Sequence, residues 1–196
     1  ILVTSLNIFA HFGVKGVSMS QIANSIRISK RTLYSYFGSK EELLCACMDY
    51  EDENISVLLD GLEKQIHHPV NRIVSLTIKM NRYRSSYCPA FYKDMIQFEN
   101  ANLKLNGMYG HIRKRFAGYF EEGVKQGPFL PNHNYEVMTH LLIEQMIMES
   151  KSRISSLHRS TAFFTFLRGL CTAKGLRVSE QLAPLENEKR VYEYAY

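Results

Sequence analysis

The side chains best suited to chemistry in this 196-residue sequence gather between residues 27 and 40. Arg27, Lys30, Arg31 and Lys40 supply cations there, Ser29, Thr32, Tyr34 and Tyr36 supply hydroxyls, and Ser18 stands a little upstream. Guanidinium and ammonium groups donate to phosphate oxygens and guanine edges, and hydroxyls donate to phosphate oxygens. The chemistry on offer is the binding of a polyanion. Charge distribution points the same way. Residues 1–40 contain those four cations and Lys15 but no Asp or Glu, whereas the other 156 residues carry 19 basic and 19 acidic side chains. The whole formal surplus of +5 therefore sits on this segment, the footprint of an acidic partner such as nucleic acid.

These residues need short helices to present them. Residues 1–13 place Leu2, Leu6, Phe9 and Phe12 on one helical face, and Gly13 ends it. Ser18 opens a second helix, with Gln21 three residues on completing a capping box. Met19, Ile22, Ala23 and Ile26 form its packing stripe. After the turn Ile26-Arg27-Ile28, Ser29 caps a third helix from Lys30 to Phe37, with Leu33 and Phe37 inward and the polar residues outward. Lys40 then falls at a helix N-terminus, where exposed N–H groups and the helix dipole favour an anion. A phosphate clamp is the expected role of Lys40. Two short helices and a tight turn, with a basic outer face, are what places a helix in the DNA major groove.

The remainder reads as further helices. One long helix is expected from Glu41 to about Ile66, another over 70–88, and a third starting at Pro89 and carrying Phe91, Met95 and Phe98. A fourth begins at Ala101 or Leu105 and runs to Lys125, before the loop GPFLPNHN. Helices over 134–153 and 158–174 are apolar on more than one face, and such helices need burial on two sides, one of them against a partner subunit. The tail after Pro184 is polar. Most of the Met, Phe and Tyr in the middle helices serve as core. Tyr83, Tyr87, Phe98, Tyr109 and Phe116 combine aromatic area with polar handles and are the candidates for lining a cavity for a small, partly apolar effector. The fold class is all-α, with a three-helix head over 1–45 and a helical body over 46–196.

Other functions lack their residues. Cys45, Cys47, Cys88 and Cys171 show neither a zinc spacing nor a CxxC pair, and His67-His68 has no carboxylate cluster beside it, so no metal site is expected. No nucleophile elbow, P-loop, HExxH or Rossmann glycine pattern occurs, so neither an enzyme nor a cofactor is expected. No run of 18 apolar residues and no signal peptide is present, and a cytoplasmic protein with no membrane partner is expected. The sequence begins at Ile1, already inside an amphipathic pattern, and a leading segment is expected before it.

The stretch from Ile8 to Leu44 resembles the DNA-binding head of the TetR family of transcriptional regulators. The residues that carry the likeness are Phe9, Gly13, Ile22-Ala23, Ile28-Ser29, Thr32-Leu33-Tyr34, Tyr36-Phe37, Ser39-Lys40-Glu41 and Leu43-Leu44. The resemblance implies an all-α homodimer that binds an inverted-repeat operator in double-stranded DNA and is released from it by an effector. It implies that Ser18, Thr32, Tyr34, Tyr36 and Lys40 hold phosphates, and that Lys30, Arg31 and Tyr36 approach base edges. Arg27 departs from the family, which often has glycine in the turn; a left-handed conformation there costs an arginine roughly 1 kcal/mol. Arg27 and Ser29 complete the DNA-binding set. The alternatives are a helical small-molecule carrier and a DNA-binding protein that ignores ligands.

Overall fold

The computed structural model describes residues 1–148 and 156–182. Ten α-helices make up the described fold: α1 (Leu2–Phe12), α2 (Met19–Ser25), α3 (Lys30–Tyr36), α4 (Lys40–Gln65), α5 (Pro69–Ser85), α6 (Pro89–Met95), α7 (Glu99–Gln126), α8 (Tyr135–Met148), α9 (Ser156–Leu170) and α10 (Ala173–Leu182). The all-α reading holds. Two compact units emerge, one of Ile1–Asp60 with Met80–His111, the other of Gly61–Lys79 with the described residues from Ile112 onward. This division by compactness is drawn differently from the sequence division at residues 45 and 46, since the first unit also takes in α4 as far as Asp60, the end of α5, α6 and the N-terminal part of α7.

In the first unit, Leu6, Phe9, Val14, Val17, Ile22, Ala23, Leu33, Leu43 and Leu44 are all buried. Phe12 is a correction: it is 69% exposed. The buried residues of α1 are Ser5, Leu6, Phe9 and Ala10, and at 100° per residue Phe12 stands about 90° from the centre of that stripe. The capping box of α2 is present, with Ser18 accepting from Gln21 N–H and the Gln21 side chain accepting from Ser18 N–H. Pro89 opens α6 with Cys88 as N-cap, but Phe98 lies beyond the end of that helix. Helix α7 begins at Glu99, earlier than expected, and buries Ala101 completely.

The second unit has Phe116, Phe120 and Phe129 fully buried, with the Phe120 ring stacked on Tyr135 at 4.9 Å. The single helix expected over 158–174 is two. Helix α9 ends at Leu170, and the connection of residues 127–130 takes over its polar groups. Leu130 N–H donates to the Leu170 carbonyl at 3.0 Å, and Thr172 N–H donates to the Pro128 carbonyl at 2.9 Å. Gly175 allows this approach, since a Cβ there would collide with the Pro128 carbonyl oxygen. On α8, Leu142 and Ile143 are buried while Val137 and Leu141 are about half exposed, in keeping with apolar character on more than one face. The expected end of that helix at residue 153 and the tail after Pro184 lie outside the described residues.

Candidate nucleic-acid interface

Helix α3 is seven residues long, too short to persist without external ties. Ser29 supplies the first tie, accepting from Thr32 N–H at 3.0 Å while its hydroxyl meets Thr32 Oγ1 at 2.8 Å. Leu33 supplies the second by complete burial. The turn from α2 is closed by Ile28 N–H donating to the Ala23 carbonyl at 3.0 Å. That closure places Arg27 at φ 58, the left-handed residue of the turn and the one non-glycine residue with positive φ among those described.

With Leu33 inward, Lys30, Arg31, Thr32, Tyr34, Ser35 and Tyr36 are all exposed. Tyr34 is 42% and Tyr36 67% exposed, unusual for aromatic rings without a partner surface. The Lys30 ammonium stands over the Tyr34 ring, 5.7 Å from its centroid, so cation and phenol are presented as a pair. Arg31 is free of such a neighbour on the same outward face. Arg27 and Ser18 are exposed as well. Eight of the nine residues expected to meet DNA therefore lie on exposed head surface.

Lys40 is placed differently. Its ammonium donates to the Val14 carbonyl at 2.9 Å and the Val17 carbonyl at 3.0 Å, and it lies 5.8 Å from the centroid of the Phe98 ring. Two of its three donors thus hold the connection between α1 and α2. The N-terminus of α4 already has an anion of its own: Glu42 Oε2 accepts from Gly38 N–H at 2.8 Å, while Ser39 Oγ accepts from Glu42 N–H at 3.0 Å. The pattern Ser39-x-x-Glu42 is a readable capping signal that the phosphate-clamp expectation overlooked. Asp94 had no such signal. Its carboxylate, on a residue 8% exposed, accepts from Lys15 N–H at 2.7 Å, a pairing 79 residues apart in sequence.

The five aromatic residues considered for an effector are not brought together. Tyr83 and Tyr87 meet through their hydroxyls at 2.9 Å, and Tyr109 is buried in the same unit. Phe98 lies beneath Lys40. Phe116 is fully buried in the core of the second unit. Burial raises the Tyr83, Tyr87 and Tyr92 phenols above their ordinary value, so they act as neutral hydrogen-bonding groups. The second unit contains an open groove of about 600 Å³, lined from α7 by Arg113 and Lys114 and from α8 by Tyr135 and His140, with none of the five among its walls. Among the described residues no group of three or more His, Cys, Asp or Glu could hold a metal, and no helix is long and apolar enough to cross a membrane.

Comparison with known proteins places the head and the fold. Residues 1–47 match the family model of bacterial regulatory proteins of the tetR family. An uncharacterized HTH-type transcriptional regulator of Bacillus subtilis (strain 168), YuxN, is 42% identical over 50 residues, a match covering 26% of this chain and 17% of that protein. Among solved structures, a TetR-family transcriptional regulator from Agrobacterium tumefaciens superposes with a TM-score of 0.74 at 13% identity, covering 87% of this chain and 95% of that one. The TetR-family protein CprB from S. coelicolor A3(2) gives 0.69 at 17% identity over 96% of both chains. A gamma-butyrolactone receptor described as ArpA-like gives 0.71 at 17% identity over the same shares. At such identities the structural likeness speaks for the fold.

Proposed function

We propose that this chain, a member of the TetR family by its head and its fold, is a homodimeric regulator that binds an inverted-repeat operator through α3. The observation that carries this reading is the outward face of α3. Lys30, Arg31, Tyr34 and Tyr36 project together from a helix held by a cap at one end and by buried Leu33 behind. A solvated surface helix has no need of exposed phenol rings among its cations. A major groove offers each of them a partner: phosphates for Thr32 and Tyr34, base edges for Lys30, Arg31 and Tyr36. Arg27, Ser18 and Ser29 stand where they can add contacts to the backbone, and Lys40 retains one N–H for a phosphate.

Regulation by repression, with release by a small, partly apolar effector, is the accompanying proposal. An effector achieves release only by binding one arrangement of the paired heads better than the other. Tyr83, Tyr87 and Tyr109 remain its candidate contacts in the first unit.

Selection of bound sequences from a random duplex library, at two salt concentrations, tests the reading. A palindrome with half-sites about one helical turn apart, or a multiple, is expected, with affinity falling steeply as salt rises. Salt-sensitive binding that enriches no sequence, or enriches a site without symmetry, refutes it.

A further inference from the structure

The connection between α1 and α2, residues 13–17, is gripped from two sides by opposite charges. From α4, the Lys40 ammonium takes the Val14 and Val17 carbonyls at 2.9 and 3.0 Å. From α6, the Asp94 carboxylate takes Lys15 N–H at 2.7 Å. Two further ties join α6 to the same place. Cys88, the N-cap of α6, donates its N–H to the Ala10 carbonyl at 2.7 Å, at the C-terminal end of α1. Gly13, at φ 75, lies so close to α6 that a Cβ would come within 3.0 Å of both Ala90 Cβ and Asp94 Oδ2. All of these residues belong to the first unit.

We infer that Asp94 is a positioning residue for the DNA-reading helices, acting through the 13–17 connection. Five residues separate α1 from the Ser18 cap of α2, and Lys15 is in their middle. A buried carboxylate on a backbone N–H makes a short, directional, charge-assisted bond. Holding the connection at its midpoint fixes where α2 starts. The capped turn at Arg27 then carries that placement to α3. Asp94 lies on α6 rather than on the three helices of the head, so the angle at which α3 is offered depends on where α6 sits. Nothing in this requires Asp94 to touch DNA.

This rests on the operator-binding reading, and the test separates the two. Wild type, D94A and D94N are compared for affinity to the selected operator, affinity to random duplex, salt slope and thermal melting. D94N retains an acceptor for Lys15 N–H and is expected to bind the operator within about threefold of wild type, whereas D94A loses about tenfold or more. Random-duplex affinity and the salt slope stay unchanged in both, because the exposed cations are untouched. Should D94A melt below the assay temperature, D94E replaces it: the same charge, one methylene longer, displaces the connection and is expected to lose operator affinity while remaining folded. Operator binding by D94A or D94E equal to wild type overturns the inference alone. Equal losses on operator and random duplex overturn it as well, since that is the mark of general destabilisation. A wild-type chain that enriches no sequence overturns the function reading and this inference with it.

Discussion

The Tyr87 hydroxyl donates to Glu51 Oε1 at 3.1 Å, tying the segment after α5 to the middle of α4. Glu51 is perturbed first by burial, which raises it, and in the opposite direction by hydrogen bonds from Tyr87 and Tyr83; the net result is a carboxyl above its ordinary 4.5. The sign of the linkage follows. Just above pH 4.5 the unfolded chain has released this proton while the native chain still holds it. Stability contributed by Glu51 is thus lost as pH rises through that window. E51Q stays neutral throughout and keeps an acceptor for Tyr87. Thermal melts of both proteins between about pH 4 and pH 8 should show E51Q gaining on wild type through the window and then holding its lead. A difference that does not change with pH would refute this.

Arg27 separates stability from binding. At φ 58 it sits where glycine pays no steric penalty, so R27G should stabilise the folded chain by about 1 kcal/mol. The same substitution removes an exposed cation from the head. If that cation meets a phosphate, the slope of log affinity against log salt should fall by about one. A melting curve and a salt titration on one variant read both effects. Unchanged stability would mean the turn relaxes around arginine without strain, and an unchanged slope would remove Arg27 from the interface.

Much of the head was legible because its signals are local. Ser18 with Gln21, Ser29 before Lys30, and the apolar spacing of Met19, Ile22 and Ala23 all act within one or two turns of chain, and each feature is present. What the sequence concealed depends on distant partners. Asp94 meets Lys15 across 79 residues. Lys40 shows the same dependence: its helix position suggests a phosphate, but nothing local marks that its ammonium also reaches back to the Val14 and Val17 carbonyls. The break after Leu170 was equally hidden, since Cys171 and Thr172 leave the helix to pair with residues near Phe129. Helical periodicity continues through such a site without any mark of it.

The outward face of α3 should be separable from its inward one. R31A and Y34A change exposed side chains, so melting should move little, within about 0.5 kcal/mol. R31A is expected to cost about 1–3 kcal/mol in operator affinity and to relax the sequence preference at one base pair. K30A, which removes a second base-edge contact, should likewise relax the preference at one base pair, whereas equal weakening on all sequences with a salt slope lower by about one would assign Lys30 to phosphate. Repeating the library selection with each variant distinguishes these outcomes. Loss of preference at no position in R31A would assign Arg31 to the backbone.

Arg72 ties three acceptors together in the second unit. Its Nε donates to the Ile66 carbonyl at 2.5 Å, Nη2 to the Glu63 carbonyl at 3.3 Å, and Nη1 pairs with Glu122 at 2.6 Å, while the side chain is 14% exposed. Two of these acceptors are orphan carbonyls around the end of α4, which no helical N–H can reach. Removing the guanidinium leaves them and Glu122 without that donor, and R72A should cost about 2–3 kcal/mol in urea unfolding. Glu122 is 36% exposed, so water recovers part of the loss and the lower figure is expected. R72K retains the charge but cannot fork to three acceptors, so it should recover less than half. The acid limb gives a second check. Burial alone would raise Glu63, but hydrogen bonds from Arg115 and Tyr119 outweigh it and hold the carboxyl below 4.5. Its stabilisation is present above that value and is lost as pH falls through the lowered one. R115A should remove the Arg115 share of this acid dependence while leaving the Arg72 contacts intact. Equal acid sensitivity in R115A and wild type would place the source elsewhere.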